Sequence, residues 1–118
     1  MRYVCLIYED EKNWAELSEE QSDAIMSEYS AFTNSIQRSG HYLQGEALQP
    51  TKSATTVRVR DGKISTTEGP VAETREQLGG YYLIKARDMD EATRIAARIP
   101  SARFGSVEVR PVVELNEE

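Results

Sequence analysis

The run Glu68-Gly69-Pro70-Val71-Ala72-Glu73-Thr74-Arg75-Glu76-Gln77-Leu78-Gly79-Gly80-Tyr81-Tyr82 is the stretch around which the rest of the chain is organised. It sets a Gly-Pro turn, four charged residues, a Gly-Gly pair and two tyrosines into one connection. A link that only closed the chain would not need so much specific chemistry. Its far end, Gly80 to Ala86, is rich in aromatic and β-branched residues and is predicted as a strand.

Immediately upstream, Thr55 to Arg60 alternates, Asp61-Gly62 turns, and Lys63 to Thr67 returns. Asp-Gly between two alternating runs is a hairpin signal, because Gly tolerates the positive φ of a type I′ turn. Arg58, Arg60 and Lys63 give this hairpin a solvated face, or a charged edge that resists pairing. Further back, His41 to Leu48 is a short strand candidate running into Pro50. Ser18-Glu19-Glu20-Gln21 reads as a capping box. Ile25, Tyr29, Phe32 and Ile36 then recur at helical spacing, and Ser39-Gly40 ends the helix. Tyr3 to Tyr8 is apolar at odd and even positions alike, so this strand is predicted to be covered on both faces. The chain's own helices can cover one face. A second subunit is the natural cover for the other.

Downstream, Asp88 caps a second helix with Glu91 at the box position, and Ala92, Ile95, Ala96 and Ile99 form its stripe. Pro100 stops it. Val107 to Val113 alternates as far as Pro111, a residue that suits an edge strand or a strand leaving the ladder, and Glu117-Glu118 closes the chain as a solvated tail. The order β-α-β, hairpin, β-α-β predicts one α+β, ferredoxin-like domain over residues 1–118, with both helices on one sheet face. The bare opposite face predicts a homodimer.

Composition narrows the function classes. A net charge of −6 with no basic run argues against nucleic acid as the main partner. The apolar run at the N-terminus is too short for a secretion signal or a membrane span, so the expectation is a soluble, cytoplasmic protein. Cys5 has no second cysteine to pair with and reads as a small buried hydrophobe. One His and one Cys offer no metal-ligand spacing, and no Gly-x-Gly-x-x-Gly, Walker or Gly-x-Ser-x-Gly pattern occurs. No cofactor is expected.

The remaining chemistry rests on few groups. Glu73 and Arg75 lie two apart in an extended segment and point the same way. Arg75 can clamp a ligand carboxylate, and Glu73, if desolvated, can act as a general base. Equally, the two can form an ion pair that ties the loop to the sheet. His41, the only histidine, follows a helix C-terminus, where a cation is favoured. It is a candidate acid or base with Glu73 or Asp10, or a surface histidine at a helix end. Tyr8 and Tyr82, with Tyr3, Tyr29 and Tyr81, can line a cavity for an apolar or aromatic molecule, or fill the core.

The segment Glu68 to Glu76 resembles the Asp-Gly-Pro-Phe-Ala-Glu-Thr-Lys-Glu signature of the DGPF-domain proteins, within the YCII-related group. Gly79-Gly80-Tyr81-Tyr82 and Gly105 to Val112 are similar to that family as well. Glu68, Val71 and Arg75 depart from its Asp, Phe and Lys: the charges are kept and the ring at 71 is lost. The resemblance spans essentially the whole chain. It implies a ferredoxin-like, dimeric α/β barrel, the fold shared with small monooxygenases and muconolactone isomerases, and it brings no established activity. Some YCII relatives look like His/Asp-dyad enzymes. Some DGPF proteins resemble partners encoded beside extracytoplasmic-function sigma factors. The sequence thus predicts a small-molecule-binding domain, with proton-transfer chemistry on a cyclic or carbonyl compound if it is an enzyme. The rival class is a non-enzymatic accessory protein.

Overall fold

A computed structural model describes residues 1–115; the Glu117-Glu118 tail lies outside the described residues. The first strand, β1 (Arg2–Glu9), buries Tyr3, Cys5 and Ile7 and leaves Val4, Leu6 and Tyr8 only half-covered. Asp10 then accepts the Lys12 amide and caps a short helix, α1 (Glu11–Ala15), that the sequence pattern did not predict. Ser18 and Gln21 cap each other reciprocally, and α2 (Glu19–Arg38) follows. It ends where Gly40 takes a φ of +82°, which lets the His41 amide reach the Ile36 carbonyl and the Gly40 amide the Gln37 carbonyl. The buried stripe is the expected one, with Phe32 and Ile36 fully inside.

After β2 (Tyr42–Ala47) and a 3₁₀ turn, β3 (Thr55–Arg60) and β4 (Lys63–Glu68) form the hairpin. Asp61 and Gly62 both have positive φ, as a type I′ turn requires. Then come β5 (Gln77–Lys85), α3 (Met89–Ala96) capped by Asp88, a second 3₁₀ turn over Pro100–Arg103, and β6 (Ser106–Pro111). Two separate sheets result. The main one runs β2-β5-β1-β6, antiparallel throughout. The hairpin is a second sheet of two strands, inserted between the two βαβ halves. Without that insertion the order is the ferredoxin-like one, and Pro111 sits on the edge strand β6, where a missing amide costs no ladder bond.

The core lies between the sheet and the two longer helices: Tyr3, Cys5 and Ile7 of β1, Tyr82 and Ile84 of β5, Phe32 and Ile36 of α2, Ala92 and Ile95 of α3, and Ile99. Burial of the Cys5 thiol raises its pKa to about 11, as expected of a packed hydrophobe rather than a reactive centre. On the opposite sheet face, Val4, Leu6 and Leu83 have no helix above them. Among the described residues, no helix is long and apolar enough to cross a membrane.

Candidate functional site

Where α2 leaves the sheet, its inward side chains and the strands beneath enclose an apolar cleft of about 280 Å³. Met26, Tyr29 and Thr33 supply the roof, three residues or four apart on one helix face. Ile7 and Glu9 of β1, Gly45 of β2 and Gly79 and Gly80 of β5 supply the floor. The glycines matter to the space. A β-carbon on Gly45 would lie 2.8 Å from the Tyr82 ring, and one on Gly80 2.9 Å from the Glu46 carbonyl oxygen. Gly79 is the extra residue of a β-bulge, since Ile7 pairs with Gly80 and Tyr8 with Leu78. Trp14 of α1 closes one end, its Nε1 buried and without a partner among the described residues. A shallower groove of about 570 Å³, sharing Glu9, Trp14 and Gly79, continues past it toward Lys52.

One polar line enters this apolar space. The Ser101 hydroxyl donates to Glu9 Oε2 at 2.6 Å, and Tyr29 Oη lies 2.6 Å from the same hydroxyl oxygen. Ser101 has one proton and gives it to Glu9, so Tyr29 must donate to Ser101. The order is therefore Tyr29 to Ser101 to the carboxylate. Burial pushes the Tyr29 phenol up to about 12, with the Glu9 charge adding to the rise and the Ser101 hydrogen bond opposing it. A second pair, Thr33 Oγ1 and Tyr82 Oη at 2.6 Å, sits farther along. Tyr82 is fixed edge-on by Phe32, with centroids 5.2 Å apart, and burial raises its pKa too. The cleft thus offers apolar walls, one carboxylate held on a single oxygen, and a phenol kept protonated beyond the physiological range.

The residues singled out in the sequence fall in different places. Tyr82 lines the cleft. Tyr8 does not: it lies between Ile7 and Glu9, which both face the cleft, so strand alternation turns it to the open sheet face. His41 sits just before β2, its Nδ1 2.6 Å from Ser39 Oγ and its Nε2 3.3 Å from Glu91 Oε2. The Arg87 backbone amide, donating at 2.7 Å, holds Glu91 below the usual carboxylate range, and His41 acts in the same direction. Glu73 is exposed, and so is Arg75, which edges a shallow depression with Asp10, Asn13, Glu76 and Phe104. No ion pair joins Glu73 to Arg75 among the described residues. Tyr42 of β2 pairs near the end of β5, so strand rise puts His41 roughly 25 Å from the Gln77 end of that strand, and residues 73–76 lie before Gln77. The structure does not bring His41, Glu73 and Arg75 together.

Glu9 and Ser101 were not among the candidates. A signal for Glu9 existed: it shares the odd-numbered parity of Tyr3, Cys5 and Ile7, the buried face of β1. Ser101, fully buried in the turn after α3, had none. In comparison with known proteins, the family model of the YCII-related domain matches residues 1–116. A protein of Rhizobium meliloti (strain 1021), named only as Uncharacterized protein R00369, is 37% identical over 114 residues, covering 95% of this chain and 92% of that one.

Proposed function

The chain belongs to the YCII-related family, and within it we propose that this domain binds a small, mostly apolar molecule in the cleft under α2, with Glu9 as the group that exchanges a proton with it. The observation that carries this reading is an apolar cleft in which one carboxylate, Glu9, is fixed by a buried hydroxyl, whereas Glu46, also along the lining, is exposed. Glu9 Oε2 is committed to Ser101, and no hydrogen bond is made to Oε1 among the described residues. The fitting ligand has a flat apolar body and a carbonyl group that acidifies an adjacent C–H. The proton moves from that carbon to Glu9 and returns to the same molecule at a second position. The Tyr29–Ser101 line holds the carboxylate's orientation throughout. A second copy of the chain would cover Val4, Leu6 and Leu83, the half-exposed apolar residues of the open sheet face.

Trp14 is the only tryptophan and lines the cleft, so its emission reports occupancy directly. Titration with cyclohexanone, phenol and benzoate should change that emission for the carbonyl compound. In D2O the protein should speed deuterium incorporation beside the cyclohexanone carbonyl, followed by NMR. Glu9→Gln should remove the exchange and leave binding. Binding without exchange would reduce the domain to a binding module and favour the accessory role. No response of Trp14 to any probe would overturn the site.

A further inference from the structure

The β3–β4 hairpin is larger than a connection between β2 and β5 needs. The chain's radius of gyration is 16.4 Å, against roughly 13.5 Å for a compact domain of this length. Its extents of 52 × 47 × 18 Å describe a thin, spread plate. The hairpin contributes to the spread, since β3 and β4 pack chiefly on each other. Among the described residues, no hydrogen bond or ion pair joins residues 57–67 to the main sheet or its helices. What holds it is its root. The Gly69 amide donates to the Ala54 carbonyl at 2.7 Å, and the Thr56 hydroxyl to the Gly69 carbonyl at 2.7 Å. Gly69 does this at a φ of +99°, so the Gly-Pro of the signature segment serves as the clasp at the base of an arm.

The arm is two-sided. Val59 pairs with Ile64 and Val57 with Thr66, which puts the three apolar side chains on one side. They stand 56%, 75% and 59% exposed for Val59, Ile64 and Val57. Arg58, Arg60 and Lys63 occupy the other side. A free two-stranded ribbon is marginal in water, and an exposed apolar side needs a cover. The body cannot supply it, because the arm stands away from it. Charge identifies what can. Beyond its root the arm holds three cations against the single acid Asp61, whereas the chain as a whole carries −6. The body of the molecule is therefore acidic, so long-range attraction draws the arm as a whole toward a body like its own, and the apolar side makes the contact. Nucleic acid would match the cations, but its phosphates would meet the basic side and leave Val57, Val59 and Ile64 in water.

We propose that the hairpin is an exchange arm: in a two-fold dimer each copy lays the Val57/Val59/Ile64 side of its arm on the body of the other. The arrangement is reciprocal, so one surface serves both protomers. It extends the interface beyond the open sheet face, and it ties the signature segment to assembly.

The test uses Val59→Lys/Ile64→Lys in the full chain. Both side chains are exposed in the single chain, so the variant keeps its own core, which far-UV circular dichroism and a urea melt verify. Light scattering should give the wild type at twice 13.3 kDa at roughly 10 μM. The double variant should dissociate with a Kd raised a hundredfold or more. Arg58→Glu/Arg60→Glu should weaken the wild-type dimer about tenfold and remove most of its salt dependence. A wild type that stays monomeric overturns the proposal, and the sheet-face dimer with it. A double variant that dimerises as tightly as the wild type overturns the arm alone. A mass increase seen only on adding double-stranded DNA, and lost in Arg58→Glu/Arg60→Glu, assigns the arm to nucleic acid and also overturns it.

Discussion

Replacing Ser101 by Ala tests the polar line at the heart of the site. Ser101 is fully buried, and its hydroxyl makes two bonds of 2.6 Å, one to the Glu9 carboxylate and one from Tyr29. Its backbone carbonyl separately accepts the Gly105 amide at 2.7 Å, a bond that the substitution leaves in place. The loss therefore isolates the side chain. A hydrogen bond to a charged group contributes about 1.5–3 kcal/mol and a neutral one about 1 kcal/mol. The sum is an upper limit, because Glu9 faces an open cleft and water can reach one partner. About 2–3 kcal/mol is expected, or roughly 8–12 °C in Tm at this chain length. Tyr29→Phe removes only the outer bond and should cost about 1 kcal/mol. The double variant should cost less than the two singles together by about 1 kcal/mol, since Ser101→Ala already removes the Tyr29 bond. Urea denaturation of the four proteins measures all of this. A Ser101→Ala cost below about 0.5 kcal/mol, or strictly additive singles, would show that the line is not formed and remove the reason for assigning Glu9 a fixed orientation.

Other outcomes follow from the same geometry. Tyr29, at about 12 against its ordinary 10.0, and Cys5, at about 11 against 9.0, both keep their protons in the fold after the unfolded chain has lost them. The unfolded state then binds fewer protons, so stability should fall as pH rises from 9 to 12, and urea midpoints at pH 7, 9 and 11 check the sign. Gly80→Val should lower stability by about 1–3 kcal/mol, because its β-carbon would press on a backbone oxygen 2.9 Å away; an unchanged melting temperature would contradict the packing. Glu73→Ala and Arg75→Ala should each shift stability by less than about 0.5 kcal/mol with a coupling near zero, since both are exposed and unpaired with each other. A double-mutant cycle with a coupling above about 1 kcal/mol would restore them as a structural pair.

Most of the fold could be read in the sequence because each element is signalled locally. Ser18 and Gln21, Gly40, Asp61-Gly62 and Asp88 all act within a few residues of their own position, and each adopts the conformation its type favours. The hairpin's existence was legible for this reason, while its isolation was not. Nothing in an alternating run says which sheet it joins, and here it joins none but its own. The five-residue α1 was too short to show a period.

The site was harder to read because it is built from distant residues that carry no shared local pattern. Ser101 reaches Glu9 across 92 positions and Tyr29 across 72. Glu9 opens the acidic run Glu9-Asp10-Glu11, yet its parity places it on the buried face of β1. Parity is the stronger argument of the two, since a strand cannot turn one side chain against its neighbours without a bulge. The bulge in this ladder is on β5, at Gly79, so β1 keeps its alternation and delivers the carboxylate inward. The densest local chemistry, at residues 68–76, has the opposite character. Glu68, Glu73 and Arg75 face solvent, Glu76 accepts the Ser106 hydroxyl, and Gly69 fixes the root of an arm. A signature can therefore mark a backbone requirement as readily as a reaction. Here the groups proposed for proton transfer stand on β1, α2 and the turn before β6, where only the folded sheet brings them within reach of one another.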